Sequence, residues 1–170
     1  MIIWFTGMSG SGKSTIAERV EKKLADNDYS VHHVDGDRFR AKAGTTNQFS
    51  REAILENNYK IIDYCNSIKN DYDIIVVAVI SPFQETRDKA REIFGEDYKE
   101  IFIDCPIEVL IRRDTKNLYS KAKAGEINNL IGVSPDTPYE RPTNPDLTIN
   151  TSKTSVAEAV EKVYNLITNV

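Results

Sequence analysis

The residues of this chain most able to do chemistry stand together near its start: Gly7-Met8-Ser9-Gly10-Ser11-Gly12-Lys13-Ser14, followed by Thr15. Gly-x-x-x-x-Gly-Lys-Ser is the pattern of a phosphate-binding loop when a strand precedes it and a helix follows. Glycines let the backbone turn back on itself and aim its N–H groups inward as an anion nest. The positive dipole end of the following helix reinforces that nest. Lys13 is then placed to reach the β- and γ-phosphates of ATP, and the Ser14 hydroxyl to ligate Mg²⁺. Gly7, Ser9, Gly10, Ser11, Gly12, Lys13, Ser14 and Thr15 are the expected ATP contacts. A Gly/Ser-rich turn would match by accident in roughly one chain in 100 of this length, judged from average residue usage. The flanks argue against accident, with apolar Ile2-Ile3-Trp4-Phe5 before the loop and Ile16, Val20 and Leu24 at helical spacing after it.

Nucleotide binding does not fix the reaction. A GTPase would need an Asp-x-x-Gly switch and an Asn-Lys-x-Asp guanine reader, and neither string occurs. The apolar run Ile74–Ile80 passes into Ser81 with no carboxylate, so the metal-binding aspartate that many ATPases carry there is missing. Carboxylates stand instead after an earlier strand, in Asp35-Gly36-Asp37. A small-molecule kinase needs such a group to orient or deprotonate an acceptor hydroxyl beside Mg²⁺. In isolation Asp-Gly-Asp is also a common polar turn; beside a P-loop strand it reads as catalytic. Arg112, Arg113 and Lys116 would bring positive charge to the transferring phosphoryl group, although such a run is equally the composition of a solvated helix end.

The elements that must position these groups alternate. Strands are expected at Ile2–Phe5, Val31–Val34, Ile74–Ile80, Glu100–Ile103 and Leu147–Ile149. Helices are expected from Ser14 to about Asp26, after the N-cap Ser50, over Glu85–Phe94, from Pro106, and after the capping box Ser155-x-x-Glu158. Alternation with short links implies a single α/β domain over residues 1–170: a central five-stranded parallel sheet with helices on both faces. Ligands of such sheets bind beyond the carboxyl ends of the strands, where the P-loop, Asp35-Gly36-Asp37 and Ser81-Pro82 should converge. Residues 114–144, rich in lysine, glycine and proline, break the alternation and are expected to form a mobile lid.

With 170 residues and a formal net charge of −4, the chain is large enough for a real core and lacks the basic balance of a nucleic-acid binder. No apolar run suits a membrane span and no leader is read before the P-loop strand, so the expected compartment is the cytoplasm. Cys65 and Cys105 are expected to be small buried hydrophobes, and the adjacent His32 and His33, on opposite faces of a strand, do not suggest a shared metal.

Taken together these strings resemble the adenylylsulfate (APS) kinase family over nearly the whole chain. They are the P-loop, Asp35-Gly36-Asp37 with Arg40, Phe49-Ser50, Ile80-Ser81-Pro82-Phe83 with Arg87, Arg113-Asp114-Thr115-Lys116-Asn117-Leu118-Tyr119, Ala124-Gly125-Glu126-Ile127 and Pro138-Tyr139-Glu140-Arg141-Pro142. The resemblance implies a P-loop kinase that transfers the γ-phosphoryl of Mg²⁺-ATP to the ribose 3′-hydroxyl of a small nucleotide, with no membrane or nucleic-acid partner and a homodimer left open. It puts Asp37 near that hydroxyl, Asp35 on the Mg²⁺ side, Arg112 and Arg113 near ATP, and Lys116 in the catalytic set. Arg40, Phe49, Asn57, Ile80, Lys116 and Leu130 fall at acceptor-binding positions. Ser81 matches a serine sometimes assigned as a phosphorylated intermediate; in-line transfer needs none, and capping a helix or binding the acceptor are simpler roles for it.

The departures lie in the acceptor half. Ile54 replaces a family arginine, Leu130 replaces the phenylalanine that stacks on the adenine of APS, and Asn117 replaces a lid glycine. That pattern is similar to the cytidine diphosphoramidate kinases, relatives within the family, so APS and this cytidine nucleotide both stand as acceptors. A catalytically silent ATP-binding module and a nucleoside-monophosphate kinase are the remaining alternatives; retention of Lys13, Ser14, Asp35, Asp37 and Lys116 together argues against the first.

Overall fold

The computed structural model describes residues 1–43 and 50–169. Five strands, β1 (Ile2–Thr6), β2 (Val31–Asp35), β3 (Ile74–Ala78), β4 (Tyr98–Asp104) and β5 (Leu147–Asn150), form one parallel sheet in the order β2-β3-β1-β4-β5. All five residues of β1 and all five of β3 are buried, as central strands covered on both faces require. Their side chains alternate between two cores. Ile3, Phe5, Ile74 and Val76 pack with Ile16, Val20 and Leu24 of α1 (Lys13–Ala25) and Val160 and Val163 of α7 (Val156–Thr168). Ile2, Trp4, Ile75 and Val77 pack with Ile61, Ile62 and Cys65 of α3 (Arg51–Ile68) and Ala90 and Phe94 of α4 (Gln84–Phe94). Ser50 caps α3 through Ala53 N–H at 3.2 Å, and the capping box Ser155/Glu158 opens α7, both as their residue types foretell.

The chain runs outward from β1 in one direction and from β3 in the other, so the carboxyl ends of these two neighbours flank the crevice where such sheets bind ligands. Strand β3 stops at Ala78, two residues short of the apolar run. Phe5 and Asp35 both pair with Ala78, after which β1 runs one residue further, to Thr6 opposite Phe102, before the P-loop, and β2 turns into a helix. Val79 and Ile80 continue as an unladdered wall, tied down by Val79 N–H to the Phe5 carbonyl (3.2 Å) and Thr6 Oγ1 to the Ile80 carbonyl (2.6 Å).

Two helices were not expected. Asp35-Gly36-Asp37 is not a turn: Gly36 opens α2 (Gly36–Ala43), and Asp35 Oδ1 caps it by accepting from Asp37 N–H (3.1 Å) and Arg38 N–H (3.0 Å). Gly36 is needed for contact, since a Cβ there would lie 2.8 Å from Val79 Cγ1. Short α5 (Ile107–Arg113) is followed, inside the expected lid, by α6 (Leu118–Lys123). Asp114 caps α6 through Tyr119 N–H (3.0 Å) and Ser120 N–H (2.9 Å). Cys105, Leu110, Tyr119 and Leu130 form a separate apolar cluster, with Met8 packed against it, so this segment is packed onto the body.

Candidate active site

Beyond the carboxyl ends of the strands lies a cavity of about 430 Å³. The P-loop contributes Ser9, Gly10, Gly12, Lys13, Ser14 and Thr15; the β2–α2 junction contributes Asp35, Gly36, Asp37 and Arg40. Ala78, Val79 and Ile80 form a wall, and Thr115, Lys116, Leu118, Ile127, Asn129, Leu130 and Ile131 close it from the lid. Three strand ends far apart in sequence, and a fourth stretch over residues 115–131, therefore meet at one cavity.

Gly10 (φ +77°) and Gly12 (φ +100°) adopt the left-handed backbone that a nest requires. Gly7 and Ser11 do not line the cavity. A Cβ on Gly7 would meet the Ile103 carbonyl at 2.5 Å, while Ser11 is buried and its carbonyl accepts from Thr151 Oγ1 at 2.8 Å. Lys13 is 8 % exposed, and its ammonium donates to the Met8 carbonyl at 3.0 Å, within the loop. Burial, and then the nearby Lys116 charge, bring its pKa down to about 7. A phosphate anion in the nest is the partner that would restore full charge.

Asp37 is the electrostatic centre of the opposite side. Its Oδ2 accepts from Lys116 Nζ at 2.5 Å, and its Oδ1 is paired with Arg40 one turn along α2. Burial alone would raise its pKa, but Lys116 and Arg40 together hold the carboxyl below the ordinary value. An ionised carboxylate faces a cavity that also contains a P-loop lysine. That arrangement can accept a hydrogen bond from a hydroxyl and orient its oxygen toward a bound phosphate.

Several expected contacts lie elsewhere. The Ser81 hydroxyl is 3.1 Å from Thr86 Oγ1, the residue is 1 % exposed, and it does not line the cavity. A catalytic or phosphorylated Ser81 is therefore not what this arrangement builds. Nor does Ser81 cap α4, whose N-cap is Phe83. Asn57 is buried in α3 and absent from the cavity wall, because that face of the helix packs inward. Arg112 is exposed on α5 and also lies off the cavity. Arg113 does not line it either; it donates to the Thr151 carbonyl (2.7 Å) and to Thr151 Oγ1 (3.1 Å), beside the P-loop. Phe49 lies outside the described residues. Cys65 and Cys105 are free and buried, and His32 and His33 engage Tyr64 and Glu21 respectively, so none of the four enters the site.

Sequence reasoning missed the groups that join the lid to the sheet. Tyr119 Oη donates to the Ser9 carbonyl at 2.8 Å, and Tyr139 Oη is 2.8 Å from Thr6 Oγ1. Both tyrosines stand in strings that carry the family resemblance, whereas a polar Thr6 closing an apolar strand is a signal visible without it. Met8 packs against Gly132, where a Cβ would come within 2.5 Å of Met8 Cε. The lid thus has two parts. Its C-terminal root is bolted to the body through Tyr139 and through Glu140, whose N–H donates to the Pro82 carbonyl at 2.8 Å. The part over the cavity is held by the Lys116–Asp37 and Tyr119–Ser9 contacts, which a bound nucleotide would reorganise. Hydrogen exchange with and without an ATP analogue should show protection rising over residues 115–133 and unchanged at 139–141. Uniform protection of both parts in both states would make the segment a fixed subdomain.

Comparison with known proteins agrees with this geometry. Residues 1–150 match the adenylylsulphate kinase family. The adenylyl-sulfate kinase of Clostridium acetobutylicum is 40% identical over 166 residues, covering 98% of this chain and 82% of that one. That of Halothermothrix orenii is 41% identical over 166 residues, covering 97% and 88%. The structure of the Mycobacterium tuberculosis APS kinase CysC in complex with AMPPNP and APS superposes with a TM-score of 0.91 at 37% identity, covering 98% of this chain and 96% of that one. Shikimate kinase from Aquifex aeolicus shares the fold, with a TM-score of 0.60 at 16% identity. The chain belongs to the adenylylsulphate kinase family, ATP-dependent phosphotransferases with an alcohol group as acceptor.

Proposed function

We propose that the chain transfers the γ-phosphoryl group of Mg²⁺-ATP to the ribose 3′-hydroxyl of a small nucleotide. The observation that carries this reading is the ionised Asp37, held by Lys116 and Arg40 in the same cavity as Lys13. The P-loop N–H groups and Lys13 bind the donor phosphates. Asp37 orients the acceptor hydroxyl and takes its proton as the P–O bond forms, and Lys116 supplies charge to the transferring group. The lid excludes water that would otherwise compete as acceptor. Ser14 and Asp35, hard oxygen donors that both line this cavity, are the residues that would hold a Mg²⁺ ion. Bound there with ATP, the ion would neutralise phosphate charge.

APS is the acceptor that the names of the relatives support. A cytidine diphosphoramidate stands beside it as a second acceptor on one feature: among the described residues no aromatic ring lines the cavity, and Leu130 stands in the wall. Ile54 does not face the cavity but packs with Phe83 and Ile131, so no cation stands at that position. Arg40 lines the cavity, whereas Tyr59 and Lys60, the other ring and cation near position 54 in sequence, sit off it, and Lys60 pairs with Glu56 at 2.6 Å. Losing a charge-assisted contact costs about 1.5–3 kcal/mol and losing a base stack about 1–3, or roughly 10²–10⁴ in efficiency if they act independently. Poor use of APS relative to the cytidine compound is the expected outcome, measured as kcat/KM under the same Mg²⁺-ATP conditions. APS turnover above about 10⁴ M⁻¹s⁻¹ without use of the cytidine compound would establish APS as the acceptor.

A further inference from the structure

We propose that Arg87 is a positioning residue that locks the acceptor-side wall of the cavity to the root of the lid, setting acceptor affinity without touching the acceptor. The inference rests on the reading above, in which Ile80 and the lid face the acceptor.

Arg87, on α4, is wholly buried at 0% exposure. Its Nη1 donates to the Ser81 carbonyl at 2.6 Å, and its Nη2 to the Glu140 carbonyl and to Gln84 Oε1, each at 2.7 Å. Its Nε lies 3.1 Å from Oε1 of Glu100, itself buried on β4. That last contact is an ion pair whose angle is not that of a hydrogen bond. Burying a guanidinium and a carboxylate seldom stabilises a fold more than apolar residues of the same volume would. The arrangement therefore calls for a reason beyond packing, and the two carbonyls supply one.

The first carbonyl belongs to Ser81, whose φ of 43° is strained for a residue with a side chain. Ser81 directly follows Ile80, which lines the cavity and whose own carbonyl accepts from Thr6 Oγ1. The second belongs to Glu140 at the lid root, beside Tyr139, which also reaches Thr6. From that root Thr137 accepts from Gly132 N–H at 2.8 Å, next to the cavity residues Leu130 and Ile131. One planar fork thus fixes the spacing between the wall and the lid that faces it. A lysine has the charge but not the rigid fork, and cannot hold both carbonyls in one plane.

The test is Arg87→Lys, with Tyr139→Phe as a milder variant that removes the hydroxyl contact to Thr6 while keeping the ring. Both are assayed for thermal midpoint, ATP KM, acceptor KM and kcat, using APS and cytidine diphosphoramidate. Arg87→Lys should raise acceptor KM by about 10–100-fold, the scale of a misplacement near 1 Å, with ATP KM within about threefold. Tyr139→Phe should move the same parameter in the same direction by less. A lowered midpoint with both KM values unchanged, or equal losses for ATP and acceptor, would overturn the proposal. If Arg87→Lys does not fold, Tyr139→Phe decides by the same criterion. If the unaltered enzyme phosphorylates neither nucleotide, the acceptor reading has failed. The positioning claim is then read from hydrogen exchange at the amide of Gly7, which donates to the Ile80 carbonyl at 3.4 Å, and at that of Glu140: faster exchange in either variant supports it, and unchanged exchange overturns it.

Discussion

Lys13→Ala is expected to abolish measurable turnover, a loss of at least about 10²–10³ in kcat, with the fold retained. The side chain takes no part in either apolar core of the sheet; its ammonium is buried and meets the carbonyl of Met8. Burial, and then the nearby Lys116 charge, bring its pKa down to about 7, so the charged form does not stabilise the resting fold and a bound phosphate would favour it. Truncation therefore removes charge from the transition state while relieving a desolvated amine. Unfolding midpoints and kinetics should be measured on the same preparation. Activity lost in proportion to structure would refute the assignment.

Asp37→Asn is expected to cut turnover by about 10²–10⁴ and leave ATP affinity nearly unchanged. The amide keeps the shape of the carboxylate but cannot accept a proton, and it weakens the pull on Lys116 and Arg40. Asp35→Asn should behave differently. Its Oδ1 caps α2, and asparagine keeps that oxygen, so the helix that presents Asp37 should persist while the lost charge weakens Mg²⁺ dependence. A large loss at Asp35 with none at Asp37 would exchange the two roles.

The sheet was legible because each strand is a short β-branched or aromatic run punctuated by loop residues, and the helices between them carry clean three- and four-residue spacing. The P-loop was legible because its backbone geometry demands glycines at fixed intervals. Helix α2 was hidden by its mean polarity: Gly36-Asp37-Arg38-Phe39-Arg40 offers a single large apolar residue, so no period shows. Helix α6 was hidden by its length of six residues and by its capping, in which Asn117 holds a left-handed backbone (φ 54°) and the first amides are met by Asp114 upstream. The lid looked loose because its apolar residues, Tyr119, Ile127, Leu130 and Ile131, are spaced for tertiary contact with the P-loop and the wall, which local periodicity does not report. Ser81 misled for a similar reason. A serine at a strand end beside a phosphate site invites a chemical role, but here its hydroxyl meets Thr86 and its carbonyl is held by Arg87.

The central claim is transfer of phosphoryl to a ribose 3′-hydroxyl, and the position of the new phosphate tests it most directly. The enzyme is incubated with Mg²⁺-ATP and, in parallel, with APS or cytidine diphosphoramidate, and the products are followed by phosphorus NMR with coupling to the ribose protons. The account predicts ADP and a 3′-phosphorylated nucleotide in equal amounts from at least one acceptor, with neither formed by Lys13→Ala. ADP and free phosphate without a phosphorylated nucleotide, or a phosphate at any other position, would contradict it.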